Sequence, residues 1–66
     1  MTVAKTIELS ADSPDGFEAA IRAGVAKAAE TLRGISGAYV KDQVVVIEDD
    51  QVTIFRVHLQ VTFQLD

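Results

Sequence analysis

No cysteine and no tryptophan occur in the 66 residues of this chain, and proline and histidine appear once each. Without cysteine there is no disulfide, and a single histidine cannot build the thiolate and imidazole cluster that holds a structural zinc. A chain of this length buries only about 60% of the surface its unfolded form exposes, so a domain with neither staple gains stability by association. The sequence therefore predicts one domain over residues 1–66 that forms a homo-oligomer. Basic residues are also few. Six Lys and Arg against ten Asp and Glu leave a formal charge of −4, which excludes the phosphate-neutralising surface a nucleic-acid binder needs. Long apolar runs are missing as well. The longest aliphatic run, residues 44–47, is far short of the about 20 residues that span a bilayer, and the N-terminal residues form no apolar signal core. These absences point to a cytoplasmic protein with neither a nucleic-acid nor a membrane partner.

What the chain does contain is one cleanly alternating stretch, residues 51–66. Thr53, Phe55, Val57, Leu59, Val61, Phe63 and Leu65 fill the odd positions and give a strand one continuous apolar face. The even positions, from Val52 and Ile54 through Arg56, His58, Gln60 and Thr62 to Gln64, are mixed, and this second face is the place to look for function. Residues 2–9 alternate in the same way around Val3, Ile7 and Leu9 and read as a first strand. Residues 10–13 read as a loop, and Ser13-Pro14 reads as a helix start with Ser13 as the cap.

Between residues 14 and 33 the apolar residues Phe17, Ile21, Val25, Ala28 and Leu32 recur at spacings of three and four, the signature of a helix with one buried stripe. Ala20, Gly24 and Ala28 form a second row whose lack of bulk lets a helix lie close to a sheet. Gly34 follows a basic last turn as the left-handed stop. Residues 35–48 read as a second strand, joined to the last by a turn centred on Asp49-Asp50. That turn pairs Val44 with Phe55, Val40 with Leu59 and Ala38 with Val61 on the helix side. It also forces a bulge or bend near Asp42-Gln43, because strict alternation would bury Asp42. The same register groups Val45, Ile47, Val52 and Ile54 on the outer face as a subunit contact. The resulting fold is α+β, β-α-β-β, with a three-stranded antiparallel sheet in order 1-3-2 wrapped on one helix.

Two clusters invite chemistry. His58 stands on the outer face with Lys41, Arg56 and Gln60 as its expected neighbours; no orienting carboxylate is among them, which argues against general-base catalysis and against an enzyme. Glu48, Asp49 and Asp50 gather carboxylates at the hairpin tip and are candidate ligands for calcium or magnesium, without the spacing of an EF-hand loop.

Taken together, Ser13-Pro14-Asp15-Gly16, Ala19-Ala20-Ile21, Ala28-Ala29-Glu30-Thr31-Leu32-Arg33, Phe55-Arg56-Val57 and Val61-Thr62-Phe63-Gln64-Leu65 resemble the dodecins, small flavin-binding proteins. The resemblance spans essentially the whole chain. It implies a hollow dodecameric cage of four trimers that binds, stores or sequesters riboflavin, FMN or FAD, with flavin pairs held between subunits at twofold contacts. It also implies two departures. The position of the family's stacking Trp is occupied by Gly37, and that of its ring-binding Gln by Arg56, while Asp42-Gln43 resembles the family's second-strand pattern. Weakened flavin binding is the expectation. Tyr39 is a candidate replacement ring, and Arg56 a group that would favour FMN through its phosphate. The chain resembles more closely the Trp-lacking group that includes calcium-associated dodecins, so the alternative is a structural or cation-binding particle without flavin.

Overall fold

The computed structural model describes residues 2–65. Its elements follow in the order β1 (Ala4–Ser13), α1 (Phe17–Ala29), β2 (Ile35–Glu48) and β3 (Gln51–Gln64). β3 lies between β1 and β2 and pairs antiparallel with both, which gives the expected order 1-3-2. The helix packs on one face. Asp66, the last residue of the predicted final strand, lies outside the described residues.

The alternation of β3 explains the centre of the molecule. Val57, Leu59 and Val61 are fully buried, and with Ala20 of α1 they form a core joined by Ile7, Leu9 and Ala11 of β1 and by Ile35 and Val40 of β2. The helix meets this surface with its small residues, since Ala20, Gly24 and Ala28 are its buried positions. A Cβ on Gly24 would stand 3.1 Å from the Ala11 Cβ and 3.2 Å from a methyl of both Leu9 and Leu59. The larger stripe lies on the flank. Phe17 packs edge-on against Phe55, with centroids 5.1 Å apart, and Ile21 and Val25 line an open groove beside Gln43.

The ends of β1 and α1 differ from the sequence expectation. β1 continues through residues 10–13, where a loop was predicted, because Ser10, Ala11, Asp12 and Ser13 each find a partner on β3. Ladder pairing outweighs the turn-like composition of these residues. The helix consequently starts at Phe17. The Ser13 hydroxyl accepts the Asp15 N–H at 3.0 Å inside the connecting turn, and the cap position falls to Gly16 at φ 126° and ψ 171°, a conformation that only glycine adopts without strain. At the other end the helix stops at Ala29, short of Arg33, and Gly34 takes the expected positive φ of 75°.

The β2–β3 hairpin closes on Asp49-Asp50 as expected, and both residues have positive φ, 52° and 64°, as a two-residue type I′ turn requires. Its register does not run unbroken. An extra residue at Lys41 shifts the pairing between Val40 and Asp42, and a compensating irregularity near Thr53 restores it between Val46 and Ile47. Between these two bulges every side chain of β2 changes face. Val45, not Val44, pairs with Phe55, and Val44 pairs with Arg56. The proposed contact group Val45, Ile47, Val52 and Ile54 is therefore not one continuous outer patch, because Val45 belongs to the helix side.

Length explains what stays uncovered. Thirteen helical residues span about 20 Å, whereas the 14 residues of β3 span about 47 Å. The helix cannot reach the hairpin end of a molecule 51 Å long, so Val45, Ile47 and Val52 remain exposed there, and Val44 is exposed on the face opposite the helix. The chain exposes 4729 Å², against about 4,100 Å² for a compact monomer of its mass.

Candidate functional site

The sheet face opposite the helix carries a ladder of polar side chains that follows from the register. Thr6, Glu8, Ser10 and Asp12 of β1 pair in turn with Thr62, Gln60, His58 and Arg56 of β3, and β2 adds Gly37, Tyr39, Asp42 and Val44 opposite the same four. Each row becomes a contact. Thr6 and Thr62 hydroxyls meet at 3.4 Å. Gln60 Nε2 donates to Glu8 Oε1 at 3.1 Å, and Lys41 Nζ reaches across β3 to the same oxygen at 3.2 Å. Arg56 makes a two-pronged contact with Asp12, Nε to Oδ1 at 2.8 Å and Nη2 to Oδ2 at 3.0 Å.

His58 has a carboxylate partner after all. The bulge at Lys41 brings Asp42, rather than Lys41, opposite the ring, and the imidazole Nδ1 contacts Asp42 Oδ1. Ser10 pairs with His58 from the other side, so Ser, His and Asp stand in one row. Among the described residues no hydrogen bond joins the Ser10 hydroxyl to the ring, and a nucleophile without its base is not activated.

The charges on this face set one another. The Gln60 amide and then the Lys41 ammonium hold the Glu8 carboxyl below its ordinary value. Arg56 holds Asp12 below its ordinary value in the same way, and Asp12 raises the guanidinium in return. A carboxylate with a depressed folded pKa contributes stability above its unfolded pKa and loses it as pH falls through the folded one. Thermal melts are therefore expected to hold steady down to about pH 5 and to drop below about pH 4. The effect is small, since the groups are exposed. The variant combining Glu8→Gln and Asp12→Asn should start lower and fall less steeply.

Of the residues singled out from sequence, Gly37, Tyr39, Asp42 and Arg56 share the outer face, and Gln43 does not. Gln43 pairs with Val57 and borders the groove beside α1. Gly37 is open, with nothing within 4 Å of where a Cβ would stand. Tyr39 is 65% exposed. At the hairpin tip Asp49 and Asp50 form the turn itself, and Glu48 accepts a hydrogen bond from Thr53 Oγ1 at 3.1 Å. Among the described residues no three His, Cys, Asp or Glu side chains converge to hold a metal, and no helix is long and apolar enough to cross a membrane. Asp12 and Glu8 are the residues that sequence reasoning missed. The only signal for them was the length of β3, which needs a partner along its whole extent.

The family model described as Dodecin matches residues 3–66. Among solved structures, the chain is similar to the dodecin of Streptomyces coelicolor at 34% identity and a TM-score of 0.94, covering 98% of this chain and 93% of that one. A variant of the Thermus thermophilus dodecin is 38% identical with a TM-score of 0.94, covering 100% and 98%. The calcium-chelating immunodominant antigen of Mycobacterium tuberculosis, a calcium dodecin, is 26% identical with a TM-score of 0.85, covering 97% and 91%. No curated protein matches the chain.

Proposed function

The chain belongs to the dodecin family, and from that membership we propose a non-enzymatic, cytoplasmic homododecameric cage that stores or sequesters a flavin on the outer face of its sheet. The observation that carries this reading is the open position of Gly37 beside an ordered row of polar groups. A flat ring laid there meets Thr62 and Gln60 beneath it and the Tyr39 ring about 7 Å further along the strand. Flavin affinity is reduced, because Gly37 offers no side chain to stack on and Arg56 stands where the family carries its ring-binding Gln. Cage formation follows from the exposed aliphatics of the hairpin end, which the helix is too short to cover.

Quenching of riboflavin fluorescence tests the reading. The assembled protein is expected to quench only at high protein concentration and to be nearly colourless as purified. The alternative, a cation-binding particle without flavin, is favoured by the similarity to the calcium dodecin. Absent quenching, with a calcium-dependent rise in Tm that Asp49→Asn and Asp50→Asn abolish, would replace the flavin reading with that one.

A further inference from the structure

Arg56 is the one arginine on the outer face of the sheet, and one edge of its guanidinium is already occupied. Its Nε and Nη2 donate to the two oxygens of Asp12 at 2.8 and 3.0 Å. A bidentate carboxylate uses the same coplanar N–H pair that a phosphate monoester would use. The other cation of the face, Lys41, is held by Glu8. Three carboxylates, Glu8, Asp12 and Asp42, thus stand against two cations, Lys41 and Arg56, so with His58 neutral the face carries a net negative charge. A phosphate approaching the Nε–Nη2 edge of Arg56 has to displace Asp12, and one approaching the remaining Nη1 edge meets the negative charge of Asp12, Asp42 and Glu8. An uncharged ring pays no such penalty.

We propose that Asp12 is a specificity-determining positioning residue, which by holding Arg56 makes the outer face a site for an uncharged flavin such as riboflavin and disfavours its phosphate ester FMN. This reverses the preference that Arg56 suggests when read alone, and it rests on the flavin reading above. The wild-type assembly is expected to bind riboflavin more tightly than FMN by about fivefold or more. Asp12→Asn removes one negative charge and frees the fork, so it should tighten FMN binding by about tenfold while moving riboflavin binding by less than about twofold. Asp12→Glu should restore the wild-type preference. A merely structural role for Asp12 would shift both ligands together, and that result, or a wild-type preference for FMN, would overturn the proposal. A second arm needs no flavin. Modification of Arg56 by phenylglyoxal, mapped by mass spectrometry on the assembled protein, should be slow in the wild type and several-fold faster in Asp12→Asn. An unchanged rate overturns the proposal whatever the flavins do. A faster rate with no flavin bound by any variant overturns the flavin reading instead and leaves the hold of Asp12 on Arg56 established.

Discussion

Placing glutamate at Val45 and Ile47 together is expected to abolish the dodecamer. Both side chains are solvent-exposed in the isolated chain, at 37% and 60%, and surface substitutions of that kind usually change a monomer's stability by no more than about 0.5 kcal/mol. If the hairpin end is the subunit contact proposed above, the same positions lose their water in the cage, and an unpaired buried charge costs several kcal/mol per ion. Two such charges per chain, repeated around the assembly, exceed what any one contact supplies. Native mass spectrometry should show the twelve-chain species replaced by monomer, with a Tm well below the wild type. A normal dodecamer would mean that the hairpin end is not the contact. Val45 and Ile47 stand two residues apart on β2 and share a face, since the irregularity between Val46 and Ile47 inserts Thr53 on β3 and leaves β2 unbroken. Testing each alone would show which of the two positions carries more of the interface.

The second large effect is a gain. Gly37→Trp combined with Arg56→Gln is expected to raise riboflavin affinity by an order of magnitude or more. Stacking a flat ring on an aromatic side chain is worth about 1–3 kcal/mol by analogy with nucleobase platforms, or roughly 5- to 150-fold. Nothing lies within 4 Å of where a Cβ would stand at position 37, so the backbone accepts a side chain there. Replacing Arg56 leaves Asp12 without its partner, but that carboxylate is 42% exposed and solvent takes over. Its cost falls on stability more than on binding. Flavin fluorescence quenching measures the outcome. No gain in the double variant would show that the ring lies away from Gly37.

These effects bear on how much of the molecule the sequence reveals. The apolar parity of β3, the small row Ala20, Gly24 and Ala28, the Asp49-Asp50 turn and a bulge near Asp42 are all local patterns, written in spacings of two to four residues. They appear where expected. The ends of β1 and α1 were less legible, because Ser-Pro-Asp-Gly suits a β-turn as well as a helix cap, with Pro second and Gly fourth. Only the demand of a long β3 for a partner decides between them. The outer face was least legible of all. Asp12 and Arg56 are 44 residues apart and Asp42 and His58 are 16 apart, so each contact depends on the register of a strand pair. One extra residue at Lys41 changes the partner of every β2 residue from Asp42 to Val46. That single bulge moved Val45 to the helix side and gave His58 its carboxylate.

The most direct test of the central account, a dodecin cage that holds flavin weakly on its outer face, is native mass spectrometry of the wild-type protein titrated with riboflavin. The account predicts a twelve-chain species that acquires riboflavin masses gradually, at concentrations well above those needed by the Gly37→Trp, Arg56→Gln variant. A stable folded monomer, or a twelve-chain species that takes up no riboflavin even at saturation while the variant also takes up none, would contradict it.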